Sequence, residues 1–523
     1  MADIGARRWW ALGAVTLAVL AVGLDATVLS VALPTLATAL RASESDLQWF
    51  SSGYLLVLAA AMLPVGLVGD RYGRKTVLLG ALALFGAASA GCASAQTVGE
   101  FIAARVALGV AGAGIVVMAL SALTVLFTEA ERPRAVGIWA AANFVALPLG
   151  PILGGWLLTS YWWGWVFLLN VPVAAIGLVA ALALVPQSRS PRRPALDPLG
   201  VVTSTAGLVG VTYGLIEAGQ NGWTDATAVG PMLGGVALLL VFVLWERRLT
   251  RRPDGGPLVD LALFRSRSFT WGIVLMATVA IAMTGVLFTL PQYFQAVLGT
   301  DALGSGLRLL PMIGGLVLGA LPAARIARAV GNKVVVAAGF AILAGGAALG
   351  STIDVGSGTA FIAAWTAAIG IGIGLVFSTA ASAAIAELPQ ERSGVGSAVL
   401  QALQKVGAPL GTAVLGSVLS AAYRSRLDLA GLPPAAAAAV KGSVFGGIAV
   451  ARELRSQALR DSVQAAFVHG MGAGLLASAA IAALGVVLTL AFLPGRPRPI
   501  APDPQPAAAE NRERDDGPRA IPR

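Results

Sequence analysis

The sequence predicts an all-α integral membrane protein with fourteen transmembrane helices, and three observations support this fold class. Of the 523 residues, 57% are hydrophobic and 12% are charged, whereas soluble domains carry about 25% charged residues. The apolar residues fall in runs that match the roughly 20 residues of a spanning helix. The mean hydropathy is +0.80. A water-soluble fold could not hide this much apolar surface, so the excess must face lipid.

The apolar runs are predicted to be helices, because a spanning barrel would show short segments of alternating hydrophobicity instead. The first run follows Arg7 and Arg8. It exceeds the roughly 7–15 apolar residues of a signal peptide and has no clear cleavage site, so we interpret it as a retained span. The fourteen predicted spans are residues 9–34, 49–69, 76–95, 101–127, 135–158, 165–186, 199–218, 228–246, 269–291, 304–325, 333–352, 359–386, 394–420 and 470–493.

The basic residues predict the orientation of the spans. An even number of spans places both termini on one side, and Lys and Arg are enriched in cytoplasmic loops. Residues 421–469 are an exception, because this predicted external loop holds six basic residues. The other loops together still favour a plasma (inner) membrane protein with both termini in the cytoplasm. The basic residues that follow even-numbered spans are Arg71, Arg74, Lys75, Arg132, Arg134, Arg189, Arg192, Arg193, Arg247, Arg248, Arg251, Arg252, Arg265, Arg267, Arg325, Arg328 and Lys333.

The composition also excludes several classes of function. A net charge of +10 would suit a nucleic-acid partner, but the basic residues are placed as topology signals, so no nucleic acid is expected. Cys92 and His469 are the only cysteine and histidine. Apart from that one distant pair, a His/Cys metal site or a Cys–His nucleophile cannot be assembled. We therefore expect no metal site and no catalytic residue, and the absence of a P-loop argues against ATP as the energy source.

The loop after the second span carries the first recognisable motif. Its sequence, Gly66-Leu67-Val68-Gly69-Asp70-Arg71-Tyr72-Gly73-Arg74-Lys75, resembles the signature of the major facilitator superfamily. The resemblance implies a conformational latch in which Asp70 sits against the positive end of the helix that begins near Gly394. The alternative is a basic turn that only sets topology. The candidate latch residues are Gly66, Asp70, Arg71, Gly73, Arg74 and Lys75.

The fifth span carries a second motif. Gly137 is followed by Ala146 and then by Gly150-Pro151-Ile152-Leu153-Gly154-Gly155, which resembles the motif that marks antiporters within the superfamily. The family usually has glycine where Ala146 stands, and Pro148 is an addition. Glycine and proline give a bent helix with a smooth face. The resemblance implies a seal against the other bundle, at Gly137, Gly150, Pro151, Gly154 and Gly155, and the alternative is ordinary packing of small residues.

Further segments narrow the resemblance. Residues 24–34 resemble the first-helix signature of fourteen-helix drug–proton antiporters, and residues 196–200, 257–265 and 290–295 also agree with that branch. The resemblance covers nearly the whole chain and is nearest to actinobacterial multidrug or antibiotic exporters. It implies a major facilitator fold, in which two six-helix bundles are joined by two inserted helices.

The resemblance also implies a division of the chain. An N-terminal six-helix bundle is expected in residues 1–186, and two inserted helices with cytoplasmic connectors in 187–268. The C-terminal bundle is expected in 269–494 with the external loop 421–469, and a disordered cytoplasmic tail in 495–523. Within the external loop, the apolar spacing of Val450, Leu454, Val463 and Phe467 predicts an amphipathic helix.

Asp25 is the most informative residue, because an ionisable group inside a span is costly and usually functional. It is the only acidic residue deep in a predicted span, while Glu217 and Glu387 lie near span ends. We expect Asp25 to bind and release the coupled proton, with Arg105 of the fourth span as its partner. Gly109 and Gly112 beside Arg105 match the superfamily's pattern, although Leu108 replaces a common polar residue. The alternatives are a structural hydrogen-bonding Asp25 and a purely structural ion pair.

Other polar and aromatic residues in the spans are candidates for the wall of a substrate cavity. Lys405 is flanked by Gln401 and Gln404 in the thirteenth span, and a lysine whose amine reaches the membrane surface is an equally good interpretation. Trp139 and Asn143 lie one turn apart in the fifth span. Interface anchoring or plain packing is the more common role of aromatics in spans.

The predicted function is proton-coupled efflux of drug-like, lipophilic or cationic compounds. The expected partners are small-molecule substrates, protons and membrane lipid, with no cofactor beyond the proton gradient and with a monomer as the functional unit. The alternative is a proton-coupled exporter dedicated to one antibiotic or metabolite. Importers are disfavoured by the fifth-span motif, membrane enzymes by the missing reactive cluster, and sensors by the missing signalling domain.

Overall fold

The computed structural model is built of α-helices, and it contains no strand among the residues that it describes. These are residues 2–128, 131–189, 197–252, 257–259, 261–386 and 393–494. The predicted cytoplasmic tail, 495–523, lies outside the described residues. The helices are α1 Ala2–Ala39, α2 Glu44–Tyr72, α3 Arg74–Ser94, α4 Val98–Leu126, α5 Arg132–Ser160, α6 Trp165–Leu168, α7 Asn170–Leu184, α8 Pro198–Asn221, α9 Ala226–Thr250, α10 Arg267–Ala296, α11 Ala302–Arg308, α12 Leu310–Val330, α13 Asn332–Gly350, α14 Thr359–Ala386, α15 Ser393–Ser425, α16 Pro434–Gly442, α17 Val444–Glu453 and α18 Gln457–Phe492.

The helices confirm the predicted spans. Thirteen described segments are long and apolar enough to cross a membrane. The remaining predicted span is α5, a 29-residue helix whose described apolar part, Val145–Ser160, is shorter. Two of the spans are broken helices, α6–α7 and α11–α12. Helices suit a bilayer because every backbone polar group is satisfied within the segment.

Local chemistry sets several helix ends. Ser43 caps α2 in a reciprocal arrangement with Asp46, which satisfies free amides at the helix start. Gly73 has a φ of 120° and ends α2 abruptly, so that α3 begins at the next residue. Only glycine adopts this backbone conformation without strain. The motif loop of residues 66–75 is therefore a sharp corner between two spans.

The spans form two packed groups, and each is built around its own large hydrophobic core. The first bundle consists of α1 to α7, in which α1 packs on α5 and α4 packs on α2 and α3. The second bundle consists of α10 to α15 and α18, in which α14 packs on α12 and α13, and α10 packs on α15. The two inserted helices, α8 and α9, pack on each other.

The loops define two faces of the molecule. The motif face carries the loop of residues 66–75, and the hairpin face carries α16 and α17. On the hairpin face, the prediction of one amphipathic helix is wrong. Val450 ends up in α17 and Val463 in α18, because the chain turns between them at Arg455, which has a positive φ of 50°. Leu454 at this turn is 50% exposed, and α18 begins at Gln457, well before the predicted residue 470.

Candidate functional site

The two charged residues expected to interact do so in the core of the first bundle. Arg105 Nη1 of α4 lies 2.6 Å from Asp25 Oδ2 of α1, and both side chains are only 1% exposed. The Nδ2 of Asn170 donates to Asp25 Oδ1 at 3.3 Å. Asp25 is thus held by one charged donor and one weaker neutral donor.

The α2 helix supports Arg105 independently of Asp25. Arg105 Nε donates to the carbonyl oxygen of Phe50 at 3.2 Å. The guanidinium carbon lies 4.2 Å from the ring centroid of Tyr54, which is a close cation–π contact. The Tyr54 hydroxyl in turn donates to the carbonyl of Val22 at 3.3 Å. Three helices therefore meet at one guanidinium, α1, α2 and α4.

This arrangement can respond to a single proton. A buried ion pair is stable only while both charges are present, because removing one charge leaves the other dehydrated and uncompensated. A proton on Asp25 would cancel the charge that holds Arg105, while the Phe50 carbonyl and the Tyr54 ring would still hold Arg105 to α2. Protonation would thus loosen α1 from α4 and leave the α2–α4 contact in place.

A cavity lies between the two bundles, on the other side of α1. Its volume is about 60 Å³, well below the roughly 300–1,000 Å³ of pockets that hold drug-sized ligands. Its wall is mostly apolar, with hydroxyl groups of Thr27, Ser30, Ser51 and Thr284 as the polar groups. The cavity is lined by Ala26, Thr27, Ser30 and Leu33 of α1, Ser51 and Leu55 of α2, Leu147 and Pro151 of α5, Met283, Thr284, Leu287 and Phe288 of α10, and Met312, Ile313 and Leu316 of α12.

The candidate cavity-lining residues that the structure describes are not among the residues of this wall. Trp139 is 8% exposed and belongs to the core of the first bundle. Gln401, Gln404 and Lys405 are partly buried on α15. Lys405 lies one turn from Ala408, whose carbonyl accepts a 2.8 Å hydrogen bond from the cavity residue Thr284. The side chain of Asn143 lies outside the described residues.

The motif loop is held by an internal ion pair. Arg74 binds Asp70 through Nε at 2.9 Å and Nη2 at 2.8 Å. Lys75 Nζ donates to the carbonyl of Leu182 at 2.7 Å, and Arg71 stacks on Tyr72. The α15 helix begins at Ser393, as the resemblance implies. Contact between Asp70 and the first turn of α15 stays a prediction, because the side chains there lie outside the described residues.

The glycines of the fifth-span motif pack on two different partners. Gly150 and Gly154 lie against Thr27 and Val28 of α1. Gly155 lies against the backbone of α11 in the second bundle, and a Cβ there would stand 2.7 Å from the Ala302 carbonyl oxygen. Pro151 meets Gly306 of α11 in the same contact. The motif therefore contacts both its own bundle and the opposite one. The surroundings of Gly137 lie outside what the structure describes.

Sequence reasoning missed several buried polar groups. Asn170 and Tyr54 complete the surroundings of Asp25 and Arg105, and the only available signal was a lone polar residue beside an apolar run. Glu44 and Glu246 are 4% and 0% exposed although they lie at span ends. Glu246 accepts a hydrogen bond from the Val259 amide at 3.1 Å and so fixes the connector between α9 and α10.

Comparisons with known proteins agree with this architecture. The family model described as Major Facilitator Superfamily matches residues 15–412. The chain is 32% identical to the Tetracenomycin C resistance and export protein of Streptomyces glaucescens, over 97% of this chain and 96% of that protein. It is 34% identical to the Multidrug efflux pump LfrA of Mycolicibacterium smegmatis, over 92% of this chain and 96% of that protein.

A solved structure shares the fold at low sequence identity. It is the crystal structure of a bacterial homolog to the human lysosomal transporter Spinster, in an inward-facing and unoccupied conformation. The TM-score is 0.67 at 16% identity, and the match covers 94% of this chain and 99% of that one.

Proposed function

Since the chain belongs to the Major Facilitator Superfamily and is related to antibiotic and multidrug efflux pumps, we propose that it is a proton-coupled exporter of drug-like, lipophilic or cationic compounds. It is a secondary transporter and not an enzyme. The observation that carries the proposal is the position of the Asp25–Arg105 pair. It is buried on one side of α1, while the opposite side of α1 lines the cavity between the bundles.

The coupling works through α1. When Asp25 is ionised, Arg105 binds it and α1 is fixed to α4. When a proton enters and neutralises Asp25, that attraction is lost and α1 can shift relative to α4. Because Thr27 and Ser30 of the same helix face the cavity, such a shift alters the substrate surface. Proton binding and substrate binding thus act on one rigid element.

Alternating access accounts for the small size of the cavity. A contracted cavity of about 60 Å³ is suited to a state between loading and release. The helices that line it come from both bundles, so a rocking motion of one bundle against the other would enlarge it. Its apolar wall would favour planar hydrophobic bodies.

The setting of this transport cycle follows from the same proposal. The chain works as a monomer in the plasma (inner) membrane, with both termini and the motif face in the cytoplasm. The proton gradient is the energy source, and no cofactor takes part. The basic residues of the motif face support this orientation.

A second candidate is a proton-coupled exporter dedicated to one antibiotic or metabolite. One relative that aligns over almost the full chain is named as a resistance and export protein for tetracenomycin C. A deletion strain tested against chemically diverse toxicants separates the two candidates. Hypersensitivity to many unrelated compounds favours the broad exporter, and hypersensitivity to one chemical class favours the dedicated one.

The coupling role is tested with purified protein in proteoliposomes. Substrate-induced proton movement is measured for the parent and for Asp25→Asn, which keeps the shape of the side chain and removes the titrating group. Asp225→Asn is the matched control, because Asp225 is a partly exposed carboxylate that caps the start of α9, outside the spans. We expect the coupled proton signal to be lost in Asp25→Asn and retained in Asp225→Asn. A signal equal to the parent in Asp25→Asn would remove Asp25 from the coupling mechanism.

A further inference from the structure

The hairpin face is closed by direct contact between the two bundles. Gly155 of α5 lies against α11, and Ser52 Oγ of α2 donates to the carbonyl of Pro409 in α15 at 3.3 Å. The Gly155 contact lies one turn beyond the cavity residue Pro151 toward the hairpin face, and the Ser52 contact lies beside the cavity residue Ser51. Release of a substrate on this side requires all of them to separate.

Two glutamines of α10 add hydrogen bonds across the same boundary. Gln292 Nε2 donates to Glu44 Oε1 of α2 at 3.2 Å, and Gln295 Nε2 donates to the carbonyl of Val31 in α1 at 3.1 Å. Both glutamines belong to the segment 290–295 that resembles exporters of this branch. This segment therefore joins the second bundle to the first at two points one turn apart.

The Glu44 contact differs from the others because it contains a buried ionisable group. Glu44 is 4% exposed and Gln292 is 0% exposed. Arg424 of α15 brings a positive charge into the surroundings of Glu44 from the second bundle. Arg424 binds the carbonyl of Gln220 at 2.7 Å, so Gln292 is the direct hydrogen-bond donor that Glu44 has from the other bundle.

Not all hydrogen-bonding groups of this contact have partners, as is expected of a contact that must break during the cycle. The Oε1 atom of Gln292 is buried and has no hydrogen-bond partner among the described residues. An unsatisfied buried amide oxygen and a dehydrated carboxyl group both cost free energy. Opening the hairpin face would hydrate both groups, so the hydrogen bond stabilises the closed contact while the loss of hydration opposes it.

We propose that Glu44 and Gln292 form a latch that holds the hairpin face closed, and that this latch must release before substrate can leave on that side. The proposal rests on the alternating-access export proposed above and names the residues that control its release step. Asp25 and Glu44 then have separate roles in the first bundle. Asp25 controls the position of α1, and Glu44 controls the contact of α2 with α10.

The latch is tested by the accessibility of a cysteine placed just behind it. Leu33 lines the cavity and is 1% exposed, so Leu33→Cys in a Cys92→Ser background reports on opening of the hairpin face. Intact cells are treated with a membrane-impermeant maleimide, and the labelling rate is measured. We expect Gln292→Ala and Glu44→Ala each to raise the rate several-fold, and the double variant to label no faster than the quicker single variant.

Two further variants make the test specific. Glu44→Gln keeps the acceptor oxygen and removes the charge, so it should label no faster than the parent. Gln464→Ala removes another buried amide, 7% exposed, that donates to the Ala296 carbonyl at 2.9 Å inside the second bundle, and it should leave the rate unchanged. The proposal would be wrong if Gln292→Ala labelled at the parent rate. It would also be wrong if Gln464→Ala raised the labelling rate as much as Gln292→Ala does. Labelling needs no transport, so failure of drug export would not imitate either result.

Discussion

Asp25 and Ala26 are consecutive residues of α1, yet they face different parts of the protein. The Asp25 carboxylate lies 2.6 Å from Arg105 inside the first bundle, and Ala26 lines the cavity between the bundles. A helix turns by about 100° per residue, so one short segment can serve two surroundings. The proton site and the substrate surface are therefore neighbours on α1, but Asp25 itself does not line the cavity.

Breaking the buried ion pair from one side should destabilise the protein. Arg105→Gln leaves Asp25 without its charged partner, which typically costs about 3–5 kcal/mol. The double variant with Asp25→Asn should recover part of this loss, because no charge is left uncompensated. The thiol of Cys92 is 0% exposed, so its reaction with a thiol-reactive dye during heating measures unfolding. Equal midpoints for the single and double variants would contradict the prediction.

Asp70→Asn should shift the conformational balance without preventing insertion into the membrane. The Asp70–Arg74 pair is partly exposed, with side-chain exposures of 34% and 24%, and such pairs contribute about 0–1 kcal/mol. We expect the labelling rate of a cysteine at the motif face to rise by at most about fivefold. The measurement is maleimide labelling of Leu67→Cys in a Cys92→Ser background.

The matched control for this change is Glu131→Gln. Glu131 forms another partly exposed ion pair, with Arg8, on the same face at 2.7 Å, but it lies outside the motif loop. If both variants change labelling equally, the effect belongs to surface charge and not to the motif. Unchanged labelling together with unchanged transport in Asp70→Asn would leave the motif with a role in topology only.

Gly155→Ala should weaken the closure of the hairpin face. The added Cβ would stand 2.6 Å from Leu303 Cα and 2.7 Å from the Ala302 carbonyl oxygen, and these are backbone atoms that cannot simply rotate away. We expect a faster passive proton leak into vesicles. Gly314→Ala is the control, because a Cβ at Gly314 meets no atom within 4 Å. A leak that is equal in the two variants would remove the sealing role of the motif.

Monovalent aromatic cations should be exported better than divalent ones. Export of a cation against an inside-negative potential costs about 2.3 kcal/mol per charge per 100 mV, and Asp25 supplies one titrating carboxylate at the proposed coupling site. The cavity wall carries no acidic side chain among the described residues, so nothing there would pair a second positive charge. Efflux of matched mono- and dications from cells, with and without an uncoupler, is the measurement.

Two outcomes would contradict this prediction. Efficient export of dications would mean that another acid, such as Glu44, Glu217 or Glu387, reaches the substrate during the cycle. Efflux that is insensitive to the uncoupler would remove proton antiport as the mechanism. A parallel measurement on Asp25→Asn separates the first outcome from the second.

The spans and the central ion pair could be predicted because each depends on local sequence. An apolar run of about 20 residues must cross a bilayer, and a charge as deep as Asp25 needs a partner such as Arg105. The role of Glu44 could not be predicted in this way. It lies at a span end where water would be expected, and it is buried where α15 of the other bundle packs along α2 and α10 supplies Gln292.

The residues that line the cavity also could not be predicted from the sequence. The residues that the sequence predicts for the wall, such as Trp139 and Lys405, are polar or aromatic. The observed wall is mostly aliphatic, and its membership depends on how α1, α5, α10 and α12 are rotated about their axes. That rotation is a property of packing between bundles and leaves no clear sign in a single sequence.

The inserted helices have a consequence for how lipophilic compounds would reach the cavity. The α8 helix bridges one helix of each bundle, since Tyr213 contacts Trp49 of α2 and the carbonyl of Leu215 accepts a 2.5 Å hydrogen bond from Ser417 of α15. This bridge covers the crevice between α2 and α15 from the surrounding lipid. A compound dissolved in the bilayer would be kept out of this crevice, so uptake from lipid would be directed to the other flank, on which α5 and α12 meet.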